Sequence, residues 1–190
     1  MAYEAEQDPL CYPSTSVLIN KAELRNQQDL DEFEFSMFVT RAEEPLPAGN
    51  MGYGHYAIHH HLFQDVYDWA GQPRTVRIAK GSNWFCYPEN LDSFMAATFA
   101  WLDNRDHLTR YDSVDFARNA ARFLGELNAG HPFREGNGRT QPAFLKVLVL
   151  NSDHPFDDDV LEPKRTLAAM IASFDGNLDP LEALITEIIA

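Results

Sequence analysis

The run His-Pro-Phe-Arg-Glu-Gly-Asn-Gly-Arg at residues 131–139 constrains the fold of this chain more than any other feature. It lies between two apolar segments with helical periodicity. We therefore expect it to form a loop in which Gly136, Asn137 and Gly138 open the second helix. Free N–H groups at a helix start, with the positive end of the helix dipole behind them, bind anions. Because glycines also let the backbone close around phosphate oxygens, the run predicts a phosphate-binding loop.

The other residues of the run add chemistry to this loop. His131, with an ordinary pKa of about 6.5, can accept a proton from a hydroxyl at neutral pH. Glu135 is a candidate Mg²⁺ ligand, since one or two carboxylates plus phosphate oxygens usually hold this ion. Arg139 falls in the first helical turn and can contact the same phosphates. We expect Phe133 to point inward. The alternative, a plain turn, fits any single residue but not the ordered set.

The run resembles the Fic signature, H-x-F-x-(D/E)-G-N-G-R-x-x-R, with Pro142 in the position of the last arginine. The resemblance extends to residues 8–13, 58–71 and 74–78, and so covers most of the chain. Fic proteins typically transfer AMP from ATP to a hydroxyl of a target protein. The resemblance implies that His131 is the catalytic base and Glu135 the metal ligand. It implies a nucleotide site formed by Phe133, Gly136, Asn137, Gly138 and Arg139.

A β-hairpin is expected before the second half of the chain. Residues 74–79 alternate like a strand, residues 80–83 form a polar turn, and residues 84–86 return. In Fic proteins such a hairpin is a flap that covers the active site and holds the target segment by strand-like pairing. The resemblance implies that the target-binding flap residues are Ile78, Lys80, Gly81, Ser82, Trp84 and Phe85.

The remaining segments predict a mainly α-helical protein. Apolar residues at helical spacing predict helices around residues 30–37, 58–69 with an exit at Gly71, 94–101, 116–127 after a cap at Ser113, 166–174 and 181–189. The helix after the signature is apolar on nearly every side at residues 144–150, so we expect it to be the buried centre. The expected architecture is the Fic fold, a helical bundle around a buried central helix with a small β-hairpin flap. We expect one domain over residues 1–190, with its core at about 50–160.

Composition excludes some classes of protein and favours others. The net charge of −14 argues against binding to a nucleic-acid backbone, but a local loop can still hold a nucleotide. Cys11 and Cys86 are expected to be free thiols. No membrane span or signal peptide is visible, so cytoplasmic residence is expected, or secretion as an effector through a signal that we do not identify.

Two histidine-containing segments invite other interpretations. His55 and His59 have the i,i+4 spacing of metal ligands, but no acidic or cysteine ligand accompanies them, so packing of His59 within the fold is favoured. The sequence His-Pro-Phe recurs at residues 154–156, but aspartates follow where the glycines would stand. We interpret this second segment as a loop.

The combined expectation is a protein adenylyltransferase that uses ATP and Mg²⁺ to modify a Tyr, Thr or Ser hydroxyl of a target bound under the flap. Two alternatives remain open. One is a Fic-fold transferase for UMP, phosphocholine or phosphate; the other is an impaired protein that binds nucleotide or a partner without turnover, as Pro142 suggests. Fic proteins are commonly restrained by a helix with the motif (S/T)-x-x-x-E-(G/N), which this sequence lacks. The resemblance thus implies a separate small antitoxin as a partner.

Overall fold

The computed structural model describes residues 8–47, 51–81 and 83–190, without the side chains of residues 51–54 and 83. The predicted mainly helical fold is confirmed. The helices are α1 (Gln27–Ala42), α2 (Met51–Phe63), α3 (Pro88–Asp103), α4 (Ser113–Gly130), α5 (Asn137–Asn151), α6 (Pro163–Phe174) and α7 (Asp179–Ile188), with short 3₁₀ helices at Asp106–Leu108 and Asp158–Val160. The strands β1 (Ala79–Lys80) and β2 (Asn83–Trp84) pair antiparallel.

Helix α4 lies at the centre of the bundle and packs against α3, α5, α6 and α7. Its N-cap is Asp112, whose side chain accepts a hydrogen bond of 2.9 Å from the Asp115 N–H, so the cap predicted at Ser113 lies one residue too late. The expectation that α5 is the buried centre is wrong. This helix packs on α2 and α4 and buries Phe144 and Leu148 completely, whereas Leu150, near its C-terminal end, is 53% exposed.

The apolar core draws on both ends of the chain. One continuous cluster of buried residues runs from Tyr12 to Ile189, so the terminal helical segments pack on the same core as the central part. Three phenylalanines from successive helices meet at its middle. The ring centroids of Phe99, Phe123 and Phe144 lie 5.6 to 6.0 Å apart, a range in which aromatic pairs are attractive.

Helix α2 ends at Phe63, earlier than its predicted exit at Gly71. The chain instead turns back, and Gly71, at φ +79°, packs directly on α2. A Cβ at Gly71 would lie 2.8 Å from the Cβ of His60. A helix continued from Phe63 would carry Gly71 about 12 Å further along its axis, away from this contact. Val66 is fully buried although it lies in a turn. An apolar residue buried in a turn can thus continue the apolar spacing that a helix would give.

The predicted hairpin is confirmed, but its first strand is shorter than residues 74–79. Arg74 is buried and turns inward, which removes this segment from the sheet. Its guanidinium donates hydrogen bonds to the backbone carbonyls of Val76, Cys86, Gly130 and His131. A charged group that is buried needs such partners, so these four bonds take precedence over strand alternation.

Several smaller expectations are also resolved. Cys11 and Cys86 are free thiols, as predicted. The second His-Pro-Phe segment lies in the loop after α5, also as predicted. Helix α1 ends at Ala42, and residues 43–47 follow it as a non-helical connection. No helix within the described ranges is both long and apolar enough to cross a membrane.

His55 is fully buried in α2 among aromatic rings. Its ring centroid lies 5.1 Å from that of Phe133 and 5.8 Å from that of Phe144. Within the described part of the chain, neither ring nitrogen of His55 has a hydrogen-bond partner. Burial lowers its pKa to about 3, and the nearby His59 and His131 act in the same direction. The side chain is therefore neutral and unsatisfied in the folded protein.

We predict that His55→Leu stabilises the protein. Leucine keeps the volume and removes two buried polar atoms, so the free energy of unfolding at pH 7 should rise by roughly 1–2 kcal/mol. Below pH about 6.5 the unfolded chain protonates His55 while the folded chain does not, so wild-type stability falls as the pH drops towards 3. At pH 5 this loss reaches about 2 kcal/mol and is absent in the variant.

Urea denaturation at pH 7 and pH 5 measures both effects. His60→Gln, an exposed substitution on the same helix, is the matched control and should leave the stability nearly unchanged. A His55→Leu variant with wild-type stability at both pH values would contradict the assignment of His55 as an unsatisfied core residue.

Candidate functional site

The predicted loop and the helix that follows it are both present. Helix α4 ends at Gly130, and His131 caps it in the left-handed conformation at φ 46° and ψ 62°. Helix α5 begins at Asn137 after Gly136, which has φ 82°. The side chain of Asn137 bonds both the N–H and the carbonyl of Phe133, at 3.0 and 2.7 Å. These two bonds hold the loop closed on its inner side. Its outer surface is formed by the backbone of the first helical turn.

Phe133 anchors the loop, as predicted, but its placement among the nucleotide-binding residues is corrected. The side chain is completely buried, and its ring stacks on that of His59 with 3.8 Å between centroids. A ring in this position cannot reach a ligand on the outer surface of the loop. Phe133 therefore acts through packing.

His59 holds the loop from below through both ring nitrogens. Its Nδ1 accepts a hydrogen bond of 2.8 Å from the Gly71 N–H, which leaves the proton on Nε2 to donate to the Glu135 carbonyl at 2.9 Å. Burial lowers the pKa of His59 to about 3, so the ring stays neutral. The prediction that His59 packs within the fold is confirmed, since both nitrogens bind backbone. The loop contact itself was missed, because nothing in the sequence separates His59 from its neighbour His60, which is exposed.

His131 is oriented as a base requires. Its Nδ1–H donates to the Asn128 carbonyl at 3.0 Å, which places the ring lone pair on Nε2. The ring of Phe85 stacks on it, with centroids 3.7 Å apart and planes 13° apart. Burial lowers the pKa of His131 to about 3, and the positive charges of Arg74 and Lys80 add to this effect. The imidazole is therefore neutral at pH 7.

The start of α5 is shaped for close approach of the backbone. Gly136 packs on Phe63 so tightly that an added Cβ would lie 2.5 Å from the ring, whereas a Cβ at Gly138 would meet no described atom within 4 Å. The N–H groups of Asn137 and Gly138, the first two of α5, have no acceptors within the helix. The Gly136 N–H donates to the Glu135 carboxylate at 2.9 Å. Glu135 thus covers part of the predicted anion site.

Glu135 fits a role as a magnesium ligand. Its side chain is 28% exposed, and desolvation raises its pKa while the bond from Gly136 lowers it. The described residues contain no group of three or more metal-binding side chains. Mg²⁺ needs no such group, because one carboxylate together with phosphate oxygens and water satisfies it. The donor set therefore fits an ion that arrives with a phosphate ligand.

Arg139 lies beside the helix start, as predicted, but it is already paired. Its Nη2 lies 2.5 Å from the Glu34 carboxylate on α1 and 3.8 Å from that of Glu135. The Tyr67 hydroxyl donates to the other oxygen of Glu34. Sequence reasoning missed the roles of both Glu34 and Tyr67. The available signal was Glu34 itself, a carboxylate four residues after the buried Leu30 on the inner face of α1.

The flap residues separate into two groups. Ile78 and Phe85 are buried and pack with Val76 and Phe174, so among the predicted flap residues these two can meet a target segment only through their backbones. These two residues are bonded by their backbones, with the Phe85 N–H 3.3 Å from the Ile78 carbonyl. The predicted target-facing residues that reach the surface are Trp84, at 51% exposure, Gly81 and the half-buried Lys80, while Ser82 lies outside the described residues.

Pro142 lies inside α5 without interrupting it. The Gly136 carbonyl accepts hydrogen bonds from the N–H groups of Arg139 and Thr140, at 3.2 and 3.0 Å, so the first turn closes normally. The proline therefore leaves the turn at the start of α5 intact. The consequence of this residue is the missing arginine side chain.

The sequence pattern of the Fic/DOC family matches residues 55–149, half of the chain, and this stretch contains the flap, the loop and the beginning of α5. The chain belongs to the Fic/DOC family. This Fic protein is 54% identical over 189 residues to a probable protein adenylyltransferase, y4lH, of Sinorhizobium fredii, and the match covers 98% of each chain.

Two further relatives extend the comparison. The protein adenylyltransferase VbhT of Bartonella schoenbuchensis is 35% identical over 96% of this chain, which spans only 39% of VbhT. Among solved structures, the BepC effector of Bartonella tribocorum with bound AMPPNP matches with a TM-score of 0.82 and 26% identity, over 94% of this chain and 95% of BepC. The fold is thus shared with a protein whose solved structure contains AMPPNP.

We predict that Gly136→Ala damages the loop and Gly138→Ala does not. Alanine at residue 136 would place a Cβ 2.5 Å from Phe63 at φ 82°, which should cost roughly 1–3 kcal/mol of stability. Alanine at residue 138 meets open space and should change stability by less than about 0.5 kcal/mol. Urea denaturation of both variants measures the difference, and equal stabilities would show that the contact with Phe63 does not fix the loop.

Proposed function

We propose that this Fic protein is a protein adenylyltransferase, which transfers AMP from ATP to a Tyr, Thr or Ser hydroxyl of a target protein. The observation that carries the proposal is a neutral, oriented His131 at the start of the loop that leads into the N-terminus of α5. Similarity over nearly the full length to a probable protein adenylyltransferase supports this chemistry. The nucleotide analogue bound to BepC supports ATP as the ligand.

The phosphates of ATP would bind at the start of α5. The backbone N–H groups of Asn137 and Gly138 and the helix dipole attract them, and Gly138 allows close approach. Arg139 adds a charged contact from the same turn. The carboxylate of Glu135 would move from the Gly136 N–H when phosphate takes that donor, and would then hold Mg²⁺. When bound, that ion supplies Lewis-acid stabilisation of phosphate charge.

The transfer itself needs a base and an aligned hydroxyl. Nε2 of His131 accepts the proton as the hydroxyl oxygen attacks the α-phosphorus. The new O–P bond forms while the bond from the α-phosphorus to the bridging oxygen breaks, and pyrophosphate leaves with that electron pair. A bound triphosphate brings negative charge close to His131 and raises its pKa from about 3 towards a value more useful for a base. Positioning and electrostatics supply most of the catalysis.

The flap would present the target, and a separate protein would restrain the enzyme. Backbone groups of the β-hairpin can pair with an extended target segment, beside the exposed Trp84. Since the chain lacks the inhibitory motif (S/T)-x-x-x-E-(G/N), we include a small antitoxin among its partners. The test is to co-express the chain with small proteins encoded next to its gene and to look for one that copurifies with it.

A second candidate is a Fic-fold transferase with a donor other than ATP, and Pro142 favours it because no arginine stands there to contact a terminal phosphate. Incubation with a cell lysate and ATP labelled at the α- or γ-phosphate separates the candidates. Transfer from the α position only supports adenylylation. Transfer from the γ position supports phosphotransfer. Binding without transfer, also when UTP or CDP-choline replaces ATP, supports an impaired nucleotide-binding protein.

We predict that His131→Ala lowers AMP transfer by roughly 10²- to 10⁴-fold, the usual contribution of a general base. ATP affinity in calorimetry should stay near the wild-type value, because the phosphates bind to α5. His131 is buried under Phe85, so the variant should also lose roughly 1–3 kcal/mol of stability. His154→Ala, in the second His-Pro-Phe segment, is the matched control. Wild-type transfer by the His131 variant would remove the base assignment.

We predict that Pro142→Arg strengthens ATP binding by roughly one to two decades, because it restores a charge-assisted contact to phosphate, and raises AMP transfer several-fold. Pro142→Ala is the matched control, since it also removes the proline from α5 but adds no charge. Calorimetry and transfer from α-labelled ATP measure both variants. Equal ATP affinity of the arginine and alanine variants would mean that no terminal phosphate lies near residue 142.

A further inference from the structure

The carboxylate of Glu34 is fixed at a buried junction between α1 and the loop. Its side chain is 12% exposed, and one oxygen bonds Arg139 while the other accepts the Tyr67 hydroxyl. The Tyr67 ring is itself held by stacking on Trp69, with centroids 4.3 Å apart. Both oxygens thus have assigned partners, so the carboxylate has one orientation.

The plane of the Arg139 guanidinium is fixed as well. Its central carbon lies 4.6 Å from the ring centroid of Phe63 and 5.3 Å from that of Phe38, distances at which cation–π attraction acts. A guanidinium carries several N–H donors in a rigid fork. One edge on Glu34 therefore leaves further donors that can bind a second anion without a change of rotamer.

The pairing should persist when phosphate binds. If Arg139 left Glu34 to meet a phosphate, the buried carboxylate would keep its charge and lose its counterion, which is a strongly unfavourable arrangement. Sharing the guanidinium between Glu34 and the phosphate avoids that loss. The same contact therefore supports the bound state rather than competing with it.

We propose that Glu34, held by Tyr67, is a positioning residue that orients Arg139 towards phosphates bound at the start of α5. The inference rests on the proposed function for the identity of the anion, and goes beyond it by giving a role to two residues outside the signature. Of the two arginines in the Fic signature, this chain keeps Arg139 and has Pro142 in place of the other. The orientation of Arg139 therefore has a larger effect on phosphate binding.

A double-mutant cycle tests this inference with Glu34→Ala, Arg139→Ala and the double variant, in calorimetry with ATP, inorganic pyrophosphate and adenosine. Glu34→Ala should weaken ATP and pyrophosphate binding by about tenfold, since a misdirected guanidinium loses its contact, and should leave adenosine binding unchanged. The double variant should bind no worse than Arg139→Ala, because Glu34 acts only through Arg139.

Conservative variants separate positioning from a loss of fold. Glu34→Gln keeps an oxygen for Arg139 and should retain most of the pyrophosphate affinity, whereas Tyr67→Phe frees the carboxylate and should lose part of it. Glu32→Gln, exposed on the same helix, removes the same charge and is the control. Thermal melts verify that each variant is folded.

Three outcomes would overturn the inference: tighter binding of pyrophosphate by Glu34→Ala, additive losses in the double variant, or no binding of ATP and pyrophosphate by the wild-type chain. The proposed function is tested separately by AMP transfer from α-labelled ATP by the wild-type chain. A chain that binds pyrophosphate through Arg139 but transfers nothing would retain the positioning role and lose the adenylyltransferase proposal.

Discussion

The two hydrogen bonds of His59 are the constraint on which the rest of the site depends. Its ring lies between Phe63 and Phe133, with centroids 4.7 and 3.8 Å away, where an unbonded ring nitrogen would be costly. The bonds to the Gly71 N–H and the Glu135 carbonyl satisfy both nitrogens. A single buried ring therefore determines where the chain turns after α2 and where the loop lies above it.

Arg74 applies the same principle on the other side of the loop. Its guanidinium bonds the carbonyls of His131 and Cys86, and its own N–H donates to the Pro132 carbonyl at 2.8 Å. The carbonyl contact stabilises His131 in a left-handed conformation that a histidine seldom adopts. Phe85 follows β2 and stacks on His131, so the flap is in direct contact with the imidazole. Displacement of the flap would expose the ring without moving its backbone.

Sequence reasoning reached those features that depend on local pattern. Apolar periodicity and the glycines predicted the helices, the hairpin and the loop, because these properties reside in neighbouring residues. It failed where a distant contact decides the outcome: α2 ends at Phe63 since Gly71 must return to His59, and the strand shortens since Arg74 turns inward. The ion pair of Glu34 was missed for the same reason, because its partner Arg139 is 105 residues away in the sequence.

The charges around the loop explain how an acidic chain can still attract an anion. Arg134 is neutralised by Asp8 in a buried ion pair, and Arg139 is paired with Glu34, so neither side chain is an unopposed positive charge. Breaking such a buried pair is strongly unfavourable, which makes both arginines part of the framework. The positive potential then comes from the backbone N–H groups and dipole of α5, which the Glu135 carboxylate covers only in part, through the Gly136 N–H. The net charge of −14 is thus compatible with a phosphate site, because that site is built from the backbone and a shared guanidinium.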